Sequence, residues 1–331
     1  MSNLRCAWRR GIVSLRANMK LVQFFKKIDK NSVKDAGGKG ASLGEMARAK
    51  IPVPPGFVVV AGAFDRFLNE TELDAEIEAI LKKLNHKDIH EVDKASAQIR
   101  DMIAKSKIPA DLQREILEAF KKLKARFVAV RSSATAEDSK VASWAGELET
   151  YLNVTEKNLI ASVMKCWSSL FTPRAIFYRF EKKLHKKPVS VAVVVQEMVQ
   201  SEVSGISFTV HPVTEDYNQM VIEAGLGLGE AIVSGQVTPD TYVVHKDDFS
   251  ILDISVSEQG FAIVRSGAKN VHEKLSAKAG GKQKLTGRQI MELAKLCKKI
   301  EQHYRHPQDI EWALAKGKFY ITQSRPITTL K

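Results

Sequence analysis

The chain has 331 residues, of which 44% are hydrophobic and 27% are charged, and this balance is typical of a globular protein with a well-buried core. Its three cysteines, Cys6, Cys166 and Cys297, are too few and too far apart for a metal site or a disulfide framework, so we expect a reduced, cytoplasmic protein. No apolar run approaches the roughly 20 residues that a membrane-spanning helix needs, which argues against a membrane protein.

The formal net charge is +13, and part of it comes from the beginning of the chain. Residues 1–18 contain four arginines and no acid, and we expect them to form a basic leader that is disordered or precedes a true start at Met19. A transit-like segment or a basic arm are the alternatives. Most other lysines fall on amphipathic helical segments, which favours solvated helix faces over a nucleic-acid-binding surface.

The first half of the chain is predicted to be mainly helical. A glycine-rich turn at 37–40 precedes the first helix, and Pro109 lies in the first turn of another. Short strands are expected at 57–61 and 127–130, and a polar turn at 131–143. The predicted helices are 41–49, those within 72–124, 156–170 and 173–184.

The second half is predicted to be mainly strands, separated by Gly, Pro, Asn and Asp. The strands are expected at 191–199, 205–210, 220–223, 241–245 and 251–256. A helix at 286–303 is followed by a hairpin of 309–314 and 319–323, with its turn at Lys316 and Gly317. We therefore predict an α+β fold of two lobes, 19–195 and 196–331, with a nucleotide site between them.

The final hairpin carries a candidate metal site. Strand alternation places Asp309 and Glu311 on one face, and Gln323 and Arg325 share a face of the other strand. The tight turn brings Glu311 within about one rung of Gln323. A carboxylate beside an amide oxygen suits magnesium held against phosphate, and Arg325 would neutralise charge during phosphoryl transfer. The alternative interpretation is a surface hairpin with a salt bridge.

Residues 130–138, which read VRSSATAED, form a second candidate segment. Small and hydroxyl-bearing residues after a strand let backbone N–H groups approach an anion, and Arg131 can bind two phosphate oxygens at once. A serine-rich turn without a ligand is the alternative.

Residues 37–44, which read GGKGASLG, form a third candidate segment. They do not match the G-x-x-x-x-G-K-[ST] pattern of a P-loop, but Lys39 at a helix N-terminus would favour an anion. Without a ligand, the segment is a flexible turn.

Six collinear segments together resemble the phosphoenolpyruvate synthase (pyruvate, water dikinase) family, which has pyruvate phosphate dikinase and rifamycin phosphotransferase as relatives. The segments are 37–46, 54–57, 130–138, 145–154, 225–230 and the hairpin motif DIEW at 309–312 with QSRP at 323–326. They span roughly residues 30 to 327, so the resemblance covers most of the chain.

The resemblance implies an ATP-grasp fold in which two lobes clamp ATP and magnesium. Lys39 and Arg131 would grip phosphates, Glu311 and Gln323 would hold magnesium, and Arg325 would stabilise the transferring group. Gly146 and its neighbours would form a lid, and residues 196–199 would read the adenine edge through backbone groups. The residues assigned to ATP are Lys39, Arg131, Thr135, Gly146, Gln196, Glu197, Met198 and Val199.

The sequence also departs from the family pattern. The family's full enzymes carry a swivelling domain with a phosphorylatable histidine and a barrel that binds pyruvate, and this chain contains no such histidine motif. We therefore expect the acceptor histidine and the barrel on a separate chain. A nucleotide-binding regulatory module without turnover, and the ATP domain of a rifamycin phosphotransferase-like enzyme, are the alternatives.

Overall fold

A computed structural model describes residues 20–135, 149–182, 184, 189–328 and 330. The predicted leader at 1–18 lies outside these residues. The described part combines helices with two larger β-sheets, which confirms the predicted α+β class. No described helix has the length and apolar character needed to cross a membrane.

The first sheet has five strands in the order β1-β2-β5-β3-β4, and every neighbouring pair is antiparallel. Its strands are β1 (Val22–Phe24), β2 (Gly56–Val59), β3 (Val128–Ala134), β4 (Thr150–Val154) and β5 (Val191–Glu197). The β-branched run at the start of β5 explains its central place, because such side chains pack well on both faces of a buried strand.

Helices cover both faces of the first sheet. They are α1 (Val33–Arg48), α2 (Ala61–Glu70), α3 (Leu73–Lys83), α4 (Ile89–Lys105), α5 (Ala110–Leu123), α6 (Glu156–Ser168) and α7 (Pro173–Glu181). Alternate residues of β5 face opposite ways. Val191, Val193 and Val195 pack with residues of the six helices from α2 through α7 in an apolar cluster, which we call the outer core.

The second sheet has six strands in the order β13-β12-β6-β7-β8-β9, all antiparallel to their neighbours. Its strands are β6 (Val203–Phe208), β7 (Gln219–Leu226), β8 (Asp240–His245), β9 (Ile251–Ser255), β12 (Gln308–Ala315) and β13 (Lys318–Pro326). The remaining α-helices and strands are α8 (Glu230–Val233), β10 (Phe261–Ser266), β11 (Lys269–Lys274), α9 (Ala277–Gly280) and α10 (Gly287–Tyr304), and Phe25–Lys27 and Ser169–Phe171 are short 3-10 helices.

A second apolar cluster, the inner core, is shared by both sheets. It contains Leu43 and Met46 of α1 and Val194 of β5 together with Ile222 of β7 and Ile290 of α10. Helix α1 therefore contributes to a layer between the first sheet and the second one. The predicted boundary after residue 195 falls within β5, and it stays a prediction.

Two local predictions were wrong. The turn predicted to begin at Arg131 is instead a strand as far as Ala134, because β3 pairs with β5 from Val128 to Ala134. The helix predicted at 41–49 begins earlier, at Val33, and is interrupted at Gly37, whose φ is 67°.

Candidate nucleotide site between the two sheets

The hairpin of β12 and β13 presents polar side chains in the register that strand alternation predicts. Glu311 lies directly opposite Gln323, and Asp309 lies directly opposite Arg325. The register shifts beyond Glu311, because Trp312 pairs with Ile321 and Thr322 is left without a cross-strand partner on β12. Bulges of this kind re-aim backbone groups beside functional sites.

Arg131 crosses from β3 of the first sheet to this hairpin. Its Nη1 donates to the Thr322 carbonyl at 2.9 Å, and its Nη2 donates to Gln323 Oε1 at 2.6 Å and Glu311 Oε2 at 3.2 Å. Its side chain is only 11% exposed. The structure thus brings Arg131, Glu311 and Gln323 into direct contact, and the bulged Thr322 supplies a further acceptor.

Arg325 lies on the neighbouring rung of the hairpin and contacts Asp309. Its Nε and Nη2 lie 2.8 Å and 2.7 Å from Asp309 Oδ2. The Arg325 side chain remains 39% exposed, so part of its guanidinium faces solvent. Arg325 is therefore oriented by a carboxylate while its side chain stays partly exposed.

Carboxylates gather on this side of the second sheet. Glu223 on β7 and Glu311 on β12 both pair with Ile206 on the strand between them, so they share a rung. Burial, together with the nearby Asp309, raises the pKa of Glu223 above its usual range. Burial and the charge of Glu311 likewise raise the pKa of Asp309, although Arg325 opposes this. These carboxylates supply oxygens suited to cations, and two of them already contact Arg131 and Arg325.

Glu223 was not predicted as a site residue. The available signal was a lone carboxylate within the apolar run Met220–Ala224. The strand order that places Glu223 on the same rung as Glu311 is a tertiary property, and the sequence pattern did not show it.

Lys39 lies in α1, which is held against both sheets. Gly37 adopts φ 67°, and a Cβ there would overlap the carbonyl of Ser133 on β3. The Gly40 N–H donates to Ser133 Oγ at 3.3 Å, and Ser42 Oγ donates to the Ser324 carbonyl at 2.7 Å. The helix segment that carries Lys39 is thus fixed between β3 and β13.

The segment predicted to read adenine follows the buried part of β5. The Glu197 N–H donates to the Pro55 carbonyl at 2.9 Å, and the Met198 N–H donates to the Phe127 carbonyl at 3.0 Å. The Gln196 side chain is buried, and its Nε2 has no hydrogen-bond partner among the described residues. Two of the N–H groups of the predicted adenine-reading segment are therefore occupied within the protein, which narrows the prediction to other groups, including the N–H of Val199.

Thr135 and Gly146 are the remaining residues assigned to ATP. The Thr135 hydroxyl donates to the Ser190 carbonyl at 3.1 Å, so it links the end of β3 to the residue before β5. Gly146, in the predicted lid, lies outside the described residues.

The donor set tests whether magnesium fits this site. No group of three or more His, Cys, Asp or Glu side chains that could hold a metal occurs among the described residues. The oxygens of Glu311 and Gln323 nevertheless converge on one cation, the Arg131 guanidinium. These two oxygen donors are too few to enclose an ion by themselves. They still fit magnesium, because magnesium usually completes its coordination shell with water and phosphate oxygens.

Comparison with known proteins relates most of the chain to one family. Residues 33–331 match the pyruvate phosphate dikinase AMP/ATP-binding domain family. The chain is 44% identical over 319 residues to a probable phosphoenolpyruvate synthase of Methanothermobacter thermautotrophicus, with 94% of this chain and 46% of the relative covered.

Two further relatives give the same result. The chain is 48% identical over 316 residues to a probable phosphoenolpyruvate synthase of Archaeoglobus fulgidus, covering 94% of this chain and 42% of the relative. It is 42% identical over 360 residues to the phosphoenolpyruvate synthase of Pyrococcus furiosus, covering 94% of this chain and 44% of the relative. The chain therefore spans less than half the length of these relatives.

Proposed function

Because this chain belongs to the pyruvate phosphate dikinase AMP/ATP-binding domain family, we propose that it uses bound ATP and magnesium to phosphorylate a histidine on a separate domain or chain. The α+β architecture is an ATP-grasp fold that binds ATP. The observation that carries the proposal is the contact of Arg131, from the first sheet, with Glu311 and Gln323 of the second.

Arg131 of the first sheet and Lys39 of α1 would bind the triphosphate. Arg131 can bind two phosphate oxygens at once, and Lys39 adds a second positive charge near the glycine break in α1. Arg131 already contacts Glu311, Gln323 and the Thr322 carbonyl, so phosphate must share the guanidinium with these acceptors or displace them. This arrangement couples occupation of the phosphate site to the contact between the sheets.

Glu311 and Gln323 would hold magnesium through one carboxylate and one amide oxygen. Bound magnesium would neutralise part of the phosphate charge. Asp309 and Glu223 lie on the same side of the sheet and add negative potential without contacting Arg131 in any described hydrogen bond. Their role is to favour cations at this surface.

Arg325 would stabilise the phosphoryl group during transfer. Asp309 orients it through Nε and Nη2, and the Arg325 side chain remains 39% exposed. A preorganised cation at the point where charge develops is among the largest single contributions to catalysis.

The acceptor is inferred from the relatives. They are named phosphoenolpyruvate synthases, and each is more than twice as long as the stretch it shares with this chain. We infer that ATP and water would yield AMP and phosphate while one phosphoryl group passes to the histidine. Pyruvate would then receive that phosphoryl group on a further domain.

The test combines this chain with the histidine domain of the Pyrococcus furiosus phosphoenolpyruvate synthase, ATP and magnesium. We expect AMP release and acid-labile phosphohistidine, both dependent on magnesium. A calorimetric titration with ATP and magnesium reports binding separately. Normal ATP binding without AMP or phosphohistidine, when the same histidine domain is phosphorylated by its own ATP domain, would favour a regulatory module without turnover.

A further inference from the structure

A cavity of about 700 Å³ lies among α2, α3 and α7, on the outer-core side of the first sheet. Its walls are mainly apolar and include Phe64, Leu68, Ile77, Leu81, Phe171 and Ile176. Phe64, Ile77 and Phe171 of its lining belong to the outer core. Arg131 on β3 lies directly opposite Val194 on β5, which belongs to the inner core, so Arg131 is on the other face of the sheet. The cavity is therefore on the opposite face of the sheet from the proposed ATP site, and its size is within the usual range for small-molecule pockets.

Arg179 of α7 is the unusual group in this cavity. Its Nε is buried without a hydrogen-bond partner, and no carboxylate forms an ion pair with its guanidinium in the part of the chain that the structure describes. Burial lowers the pKa of Arg179 below its usual range. Arg179 is half-buried, and an N–H group that is shielded from water without an acceptor is unfavourable. A guanidinium left in this state is well suited to bind a carboxylate through two parallel hydrogen bonds.

The other polar residues of the lining narrow the class of ligand. Asp65, Asp74 and Glu78 bring carboxylates, and Lys82 brings one compensating charge. Asp65 is exposed and accepts a hydrogen bond from Ser190 Oγ at 2.8 Å. These carboxylates would repel a polyanion such as a nucleotide. A ligand with one negative charge and an apolar body meets both the guanidinium and the apolar walls.

We propose that this cavity binds a small amphipathic monocarboxylate, with its carboxylate on Arg179 and its hydrocarbon part against Phe64, Leu81 and Ile176. The proposal does not depend on the phosphotransfer function, because none of these residues belongs to the ATP site. The outer-core side of the first sheet would then have a ligand of its own.

The test is isothermal titration calorimetry of the 331-residue chain with octanoate, with 1-octanol as the neutral probe of the same length. We expect saturable binding of octanoate that is unchanged when ATP and magnesium are present. Arg179→Met should weaken octanoate binding at least tenfold, because the charge-assisted pair is lost, and should leave 1-octanol binding unchanged. Arg114→Met, at an exposed position of α5, is the matched control and should bind octanoate normally.

If circular dichroism shows that Arg179→Met does not fold, a second variant provides the test. Leu84→Trp adds volume at the half-buried end of the lining and should abolish octanoate binding while ATP binding persists. Equal octanoate affinity in the wild type and a folded Arg179→Met would overturn the proposal. So would unchanged octanoate binding by Leu84→Trp, competition by ATP, or no saturable binding of butanoate, octanoate or dodecanoate.

Discussion

The two sheets contribute different groups to the proposed ATP site, although the second sheet also carries the cation Arg325 on β13. The first sheet and α1 bring cations, Arg131 and Lys39, whereas the second sheet brings the oxygens of Asp309, Glu311 and Gln323. Each set alone is incomplete, because cations bind phosphate but not magnesium, and the oxygens do the reverse. The site is therefore a property of the contact between the sheets rather than of either sheet.

The sheets also differ in how their interiors are held together. The outer core of the first sheet consists of apolar side chains from α2 to α7 and the strands beneath them. The second sheet includes a fully buried ion pair, Lys284 Nζ with Asp240 Oδ1 at 2.8 Å, and Asp240 also accepts from the Tyr242 hydroxyl at 2.7 Å. The second sheet therefore adds a buried ion pair to its apolar packing, and the loss of one partner of that pair is costly.

The largest expected effect is the loss of stability in Lys284→Met. Removing the lysine leaves Asp240 buried without its counter-charge, and we expect the free energy of unfolding to fall by about 3–5 kcal/mol. Urea denaturation followed by circular dichroism measures it. Lys105→Met is the control, because Lys105 and its partner Asp101 are 76% and 56% exposed, and it should cost under about 1 kcal/mol. Equal losses in the two variants would show that the buried pair has no special weight.

The next effect concerns the rate of transfer. Arg325→Lys keeps the charge but loses the planar group that contacts Asp309 through two nitrogens. We expect AMP release to slow by about a hundredfold to a thousandfold, with ATP affinity changed only a few-fold. Arg288→Lys, at an exposed position of α10, should behave as wild type. A loss confined to ATP affinity would place Arg325 in ground-state binding instead.

Arg131→Lys should affect both binding and stability. An ammonium cannot serve the Thr322 carbonyl, Glu311 and Gln323 with the same geometry, so buried acceptors lose a donor. We expect ATP affinity in the presence of magnesium to fall at least tenfold and the free energy of unfolding to fall by about 1–3 kcal/mol. Calorimetric titration and urea denaturation measure the two. Unchanged stability with weaker ATP binding would mean that the contact between the sheets forms only with the ligand.

The smallest expected effect is a pH-dependent gain in the stability of the folded chain in Glu223→Gln. The pKa of Glu223 is raised in the folded chain, so the native state binds its proton more tightly than the unfolded state does. Stability from that proton is present below the unfolded pKa and is lost as the pH rises through the folded pKa. The glutamine variant should therefore be slightly more stable than wild type at neutral pH and should show no gain below about pH 4.

The control for this pH dependence is Glu118→Gln, at an exposed position of α5, which should show no such trend. Thermal melts across the pH series measure both variants. A neutral-pH loss of stability in Glu223→Gln would show that the carboxylate makes a favourable contact in the folded chain.

Sequence patterns predicted the features that depend on local periodicity. The strands of the second half and the pairing of Glu311 with Gln323 follow from alternation within each strand and from a tight turn at Lys316 and Gly317. The hairpin of β10 and β11 was missed because much of β11 is exposed and charged, so it lacks the apolar face of a predicted strand. Exposure alone did not decide the outcome, because β9 is mostly exposed and was predicted from its β-branched residues.

The parts of the site that sequence could not provide are tertiary. The bulge that turns the Thr322 carbonyl toward Arg131 depends on how β12 and β13 pair beyond Glu311. The influence of Asp309 on Glu223 depends on β6 lying between β12 and β7. Arg131 was predicted to bind phosphate, but its contacts with the opposite sheet needed the position of both sheets.

The inner core has a consequence for how the chain unfolds. Leu43 and Val194 lie in the same apolar cluster as Ile222 and Ile290, so neither sheet can lose its packing without exposing apolar surface on the other. The halves before and after β5 should consequently melt in one calorimetric transition, with equal van't Hoff and calorimetric enthalpies. An isolated half would present a solvent-exposed hydrophobic face and would tend to aggregate rather than serve as a transferable module.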